Sequence, residues 1–163
     1  MKRGSTNFLR AAVILIGLPV LGLCIFYLPN IASDAIGHAS KGSELAYVVY
    51  GLLFIMYASA IPFYFALYQA LRLLSYIDKN QAFSQLSVIA LKKIKKCAIT
   101  ISSFYAVALP LLYIIAEWDD APGIILIGMV IIGASMVVAV FAAVLQRLLQ
   151  EAINIKSEND LTV

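Results

Sequence analysis

At 163 residues, 63% hydrophobic and only 13% charged, with a mean hydropathy of +0.93, the chain is too apolar for a water-soluble fold. Soluble domains run at about 45–50% apolar and about 25% charged, and a chain of about 150 residues buries only about 70% of the surface it exposes unfolded, so lipid must cover the remainder. The net charge of +3 is small and carries no footprint for direct nucleic-acid binding.

Lys2, Arg3 and Arg10 precede a charge-free run from Ala11 to Leu28 that passes through Gly17 and Pro19. A secretory signal peptide would look similar at its start, with Ser33-Asp34-Ala35 as a loose cleavage site. Signal cores, however, span about 7–15 residues, so the run reads as an uncleaved first membrane helix near residues 11–29. Asn30–Glu44 is short, small and polar, and is expected to be a loop. Within it His38 follows Asp34 by four residues, the helical spacing for a weak metal site, but a zinc site takes three or four ligands and no further His or Cys is near. An ordinary solvated loop is the better reading.

Leu45–Leu71 contains no charged residue and predicts a second span at 45–72, longer than the hydrocarbon requires, with tilt or a kink at Pro62 absorbing the excess. Tyr47, Tyr50, Phe54, Tyr57, Ile61, Tyr64 and Tyr68 alternate at spacings of three and four, which places them along one helical stripe. Such a face is either a packing seam whose hydroxyls bond across to other helices, or an aromatic wall for a hydrophobic or cationic ligand. On the second alternative, Tyr50, Tyr57, Tyr64 and Tyr68 form the pocket wall.

Ser75–Cys97 is the long polar segment flanked by apolar spans on both sides, and it divides the chain into two hydrophobic hairpins. A cytoplasmic loop is expected over 75–96. Asp78-Lys79-Asn80-Gln81 are turn formers, Ser84 stands at an N-cap position, and Phe83 and Val88 occupy the two sites of a hydrophobic staple. A helix starting there carries Leu86, Ile89, Ala90, Ile94 and Cys97 on one side and Lys92, Lys95 and Lys96 largely on the other. The cluster Lys92, Lys93, Lys95 and Lys96 acts as plain positive-inside anchoring or lays an amphipathic segment against the headgroups, where each lysine contributes about 1 kcal/mol near an anionic leaflet.

Cys97–Ala116 is the third span, at 97–116. Glu117-Trp118-Asp119-Asp120-Ala121-Pro122-Gly123 turns the chain into the fourth, at 122–145, with Trp118 suited to an interface and Asp119 or Asp120 able to cap the next helix. Glu117, Asp119 and Asp120 with Asp34 or Glu44 could gather a cation, though carboxylates left outside by positive-inside sorting are the commoner explanation. Ser135, Ala139 and Ala143 form a small-residue row that admits another backbone, whether from this chain or from a second copy in a homo-oligomer. Beyond Leu145 the stripe Leu145, Leu148, Leu149, Ala152 and Ile153 continues the helix as an amphipathic extension, and Ser157–Val163 reads as an exposed tail within a cytoplasmic segment over 146–163. Cys24 and Cys97 fall at opposite ends of their spans, too far apart for a disulfide, and read as small buried hydrophobes.

Of the 12 Lys and Arg residues, Lys41 alone lies outside the two terminal segments and the stretch from Arg72 to Lys96. Positive-inside sorting therefore puts both termini and that loop in the cytoplasm. The expected architecture is a single all-α domain: an integral membrane four-helix bundle, N-in and C-in, with a cytoplasmic extension of the third helix and an amphipathic cytoplasmic C-terminal helix. No ionisable residue sits in the middle of a span, which argues against ion-coupled transport. Neither nucleophile elbow, HExxH pair nor phosphate-cradling glycine loop is present, so no enzyme, cofactor or metal site is expected.

Gln81-Ala82-Phe83-Ser84 with Val88, Leu91 and Ile94, together with the closing Glu158-Asn159-Asp160-Leu161-Thr162-Val163, resembles the uncharacterised four-helix bacterial membrane-protein family that includes YoaS. The resemblance covers essentially the whole chain, although the family's usual Gly-Xaa-Pro-Phe-Ser loop stands here as Asn80-Gln81-Ala82-Phe83-Ser84, without its Gly and Pro. It implies residence in a bacterial cytoplasmic (inner) membrane. Members are thought to be encoded beside a small helix-turn-helix regulator, which implies a cytosolic regulatory partner, and the family supplies no binding residues to carry over. The partner surface expected from this sequence comprises Phe83, Ser84, Lys92, Lys93, Lys95, Lys96, Asp160 and Leu161. The alternative function is a binder, exporter or immunity factor for a small hydrophobic or cationic molecule.

Overall fold

The computed structural model describes residues 3–39 and 44–162, and those residues are helical apart from two short turns. The elements are α1 (Arg3–Gly22), a π-helical turn (Leu23–Tyr27), α2 (Leu28–Ala39), α3 (Glu44–Asp78), α4 (Gln85–Trp118) and α5 (Gly123–Leu161). Gly22 and Leu28, which bracket the π turn, keep right-handed helical dihedrals, so α1, the turn and α2 are one rod. The protein is all-α, with four helices long and apolar enough to cross a membrane.

Three segments expected as loops are largely helix, and in the first and the last of them polar side chains bond back onto their own helix instead of marking its end. In the segment read as the first loop, the Asn30 amide donates to the Phe26 carbonyl at 2.7 Å and the Ser33 hydroxyl to the Asn30 carbonyl at 2.8 Å. The rod consequently runs on to Ala39. His38's side chain and Lys41 lie outside the described residues, as does the metal pairing considered for Asp34 and His38. The central loop contracts to residues 79–84, because α3 continues to Asp78 and α4 begins at Gln85. There Asn80 takes a left-handed φ of 58°, a conformation Asn tolerates better than most residues. The segment from Ser157 is also helical, to Leu161, and closes with the Thr162 hydroxyl donating to the Glu158 and Asn159 carbonyls. Lack of periodicity there reflects exposure of every side chain, not loss of helix.

Two expected caps differ in chemistry. Ser84 holds the N-cap position in extended conformation, but its hydroxyl donates backward to the Gln81 carbonyl at 2.7 Å and bonds nothing in α4. The Ser87 hydroxyl reaches the same carbonyl at 3.3 Å. Pro122, not Asp119 or Asp120, is the N-cap of α5; Asp119 ends α4 and Asp120 turns the chain with φ 50°.

Close backbone packing is concentrated between consecutive helices: the α1–α2 rod on α3, α3 on α4, and α4 most extensively on α5. α4 is the central helix, and its buried residues are small at Ser87, Ala90, Ala98, Ser102, Ala108 and Ala116, which lets two neighbours approach it. Its first turns bury Ser87, Val88 and Leu91 and leave Leu86 and Ile89 exposed, so the apolar side is rotated from the one expected. On α5 the row that meets α4 is Gly128, Ala139 and Ala142 rather than Ser135, Ala139 and Ala143. A Cβ at Gly128 would stand 2.5 Å from Leu112 Cδ1, so Gly128 marks the closest approach of the pair. The accessible surface of 10835 Å² exceeds the roughly 8,000 Å² of a compact soluble protein of this mass, as an array of long rods must. Large apolar side chains such as Phe8, Phe26, Phe54 and Phe141 stand exposed on it for lipid to cover.

Candidate functional site

Three places bring chemically distinctive residues together: the seam between α1 and α3, a cavity among all four spans, and the α4–α5 pair beyond the spans. At the seam, Tyr57 donates to the Cys24 carbonyl and Tyr64 to the Gly17 carbonyl, each at 3.0 Å. The donors are seven residues apart on α3 and the acceptors seven apart on the antiparallel rod, so the bonds are two rungs of one ladder. Their acceptors are not equivalent. In the π turn Leu28 N–H bonds to the Leu23 carbonyl, so the following donor, due at the Cys24 carbonyl, would be Pro29, which has no N–H. Tyr57 supplies the missing donor. Gly17, by contrast, lies in regular α-helix, and its lack of a side chain admits Leu67, whose Cδ1 would come within 3.1 Å of a Cβ there.

Of the rest of the stripe, Tyr47, Phe54 and Ile61 face outward, at 76%, 75% and 74% exposed. Tyr50 is half-buried. Tyr64 and Tyr68 flank a shallow groove of about 280 Å³ against Val13, Ile14 and Gly17. The Arg72 guanidinium lies 5.8 Å from the Tyr68 ring centre and 5.7 Å from that of Tyr76, so the chain's own cation already sits over those faces.

Between the first and last spans, which do not share the close packing of consecutive helices, lies a cavity of about 440 Å³. Its wall takes Leu23, Cys24 and Leu28 from the rod, Ser59 and Phe63 from α3, Ile101 and Tyr105 from α4, and Ile131 and Ser135 from α5. None of the four tyrosines named from the sequence as a pocket wall lines it. Phe63 and Tyr105 were not singled out as a pair, because the helical stripe that stood out was the neighbouring one. Pro29 was the available signal: a proline late in an apolar run leaves a carbonyl of the preceding turn without its backbone donor.

Past the spans, Lys95 of α4 and Ala143, Gln146, Arg147, Gln150 and Glu151 of α5 enclose a polar cleft of about 400 Å³. Lys92 and Lys96 are exposed, Lys93 and Lys95 half-buried, and among the described residues none of the four pairs with a carboxylate. Arg147 reaches Glu151 at 3.5 Å on its own helix. Phe83 is exposed, Ser84 half-buried, and Asp160 and Leu161 exposed at the far end of α5. The structure thus brings Lys95 to Arg147, while Asp160 and Leu161 have no bonded partner among the described residues.

A family model described as "Protein of unknown function (DUF2975)" matches residues 33–163. The chain is also 63% identical over 163 residues to the "Uncharacterized membrane protein YoaS" of Bacillus subtilis (strain 168), a match that covers 100% of both chains. No solved structure matches. With that coverage and four helices suited to crossing a bilayer, the chain belongs to the DUF2975 family of multi-pass membrane proteins of unknown function.

Proposed function

We propose that this protein is a non-enzymatic docking platform in the cytoplasmic membrane, N-in and C-in, that recruits a cytosolic protein to the α4–α5 pair. The observation that carries the reading is helix length. α5 has 39 residues, about 58 Å of helix, and α4 has 34, about 51 Å, against a hydrocarbon core of about 30 Å. Their surplus lies at the polar end of the molecule, where Lys92, Lys93, Lys95 and Lys96 stand without carboxylate partners among the described residues. A partner with an acidic face fits that charge. A small helix-turn-helix regulator presenting such a face is the partner class the family resemblance suggests. Crosslinking in intact membranes should capture one recurrent cytosolic protein, lost when residues 157–163 are deleted and weakened when the four lysines are changed to glutamine. Failure to capture any recurrent protein across growth conditions would sink the reading.

A second reading makes the tyrosine face the site for a small hydrophobic or cationic molecule, in export or immunity. Its support is the groove beside Tyr64 and Tyr68. Against it, the Tyr57 and Tyr64 hydroxyls are engaged by the first helix and Arg72 covers the Tyr68 ring. Docking is the better supported of the two.

A further inference from the structure

The central cavity has features that filling by lipid tails alone does not require. Its volume of about 440 Å³ lies within the roughly 300–1,000 Å³ of small-molecule sites. Two aromatic side chains from different helices, Phe63 and Tyr105, stand in its wall, and so does Ser135. Of the three hydroxyls in the wall, that of Ser59 donates to the Met56 carbonyl at 2.8 Å. Among the described residues the hydroxyls of Tyr105 and Ser135 donate to nothing. They also lie level with one another. The Leu112–Gly128 contact sets the antiparallel register, and seven residues from it along each helix stand Tyr105 and Ser135. Both are near the middle of the charge-free stretches of α4 and α5, where water is not at hand and a hydroxyl without a partner is costly.

We infer that this cavity binds a flat, lipid-soluble carbonyl compound, its ring between Phe63 and Tyr105 and its carbonyl oxygen accepting from the Tyr105 and Ser135 hydroxyls. A plain acyl chain would fill the volume and leave both donors unused. Entry is lateral, from the lipid, past Leu23 and Ile127, which are exposed at the rim. Leu23 and Cys24 belong to the π turn, an irregularity found often at functional sites. The inference is independent of the docking surface, which lies beyond the spans.

Full-length protein in lipid nanodiscs, titrated with radiolabelled 2-methyl-1,4-naphthoquinone against protein-free discs, provides the test. Saturable binding above simple partition is expected. Tyr105→Phe keeps the ring and the volume but removes the donor, and should weaken binding about ten-fold. Ser135→Ala should weaken it several-fold, and Ala60→Trp, which fills the cavity, should abolish it. Helix content and unfolding midpoint are read for each variant, and if Ala60→Trp does not fold, Tyr105→Phe, a one-atom change, decides. Absence of a saturable component in the parent protein overturns the inference. So does wild-type affinity in Tyr105→Phe, which would mark the cavity as a slot for acyl chains alone.

Discussion

The two tyrosine bonds between α1 and α3 have the same length and different importance. Because Pro29 deprives the Cys24 carbonyl of its expected backbone donor, Tyr57→Phe leaves that oxygen orphaned, whereas Tyr64→Phe leaves the Gly17 carbonyl its ordinary partner four residues on. Interhelical hydrogen bonds in membranes average about 0.6 kcal/mol and reach about 1.7. Tyr57→Phe should fall near the upper figure and Tyr64→Phe near the lower, measured by unfolding in mixed detergent micelles. Pro29→Ala restores an N–H and should shrink the cost of Tyr57→Phe in the double variant. Equal costs for the two tyrosines, unchanged by Pro29→Ala, would refute this account. The tyrosine spacing was legible in the sequence, but which hydroxyls reach a carbonyl was not. That depends on the register of α1 against α3, which no periodicity on a single helix encodes.

Helices are set by apolar length, and all four spans were legible for that reason. Ser84 marked the start of α4, but the ends of α2 and α5 were not legible, since Asn30, Ser33 and Thr162 bond within their own helices and so extend segments whose composition resembles loop. Contact faces were partly legible: Ala139 belongs to the row on α5 that meets α4, but the row is centred on Gly128 and Ala142, set by Leu112 on the facing helix. Two glycines inside α5, Gly128 and Gly133, should therefore respond oppositely to alanine. At Gly128 a Cβ would stand 2.5 Å from Leu112 Cδ1, so Gly128→Ala should cost about 1–3 kcal/mol as an overpacked contact, and Leu112→Ala should recover part of it. Gly133 has no atom within 4 Å of its Cβ position, and Gly133→Ala should be neutral or stabilise by up to about 1 kcal/mol through helix propensity. A destabilised Gly133→Ala, or a tolerated Gly128→Ala, would contradict the packing of this pair.

At the scale of the whole molecule, one contact narrows the topology before any charge is counted. Arg10 and Asp78 meet at 2.7 Å, which ties the start of the first helix to the end of α3 and sets both on one side of the bilayer. The surplus of α4 and α5 lies at that same end, because only six residues, 79–84, separate α3 from α4. Either the N-terminus, the central turn and the C-terminus all face the cytoplasm, or none does. We propose the cytoplasmic alternative on the lysine cluster: Lys92, Lys93, Lys95 and Lys96 lie within a few residues of a charge-free stretch, where basic residues orient a helix most strongly. Drawing one of them to mid-bilayer would cost about 2.5–3.5 kcal/mol on insertion scales. Reporter fusions that fluoresce only in the cytoplasm should light at Asn80 and after Val163, and fusions active only outside should work at Gly37 and Asp120. Changing all four lysines to glutamine should lower the cytoplasmic signal at Asn80, since the seven other basic residues on that side hold the orientation only in part. An outside signal at Asn80 in the parent protein would reverse the topology and remove the α4–α5 pair from the reach of any cytosolic partner, taking the docking proposal with it. The cavity would survive that outcome, because its opening faces lipid in either orientation.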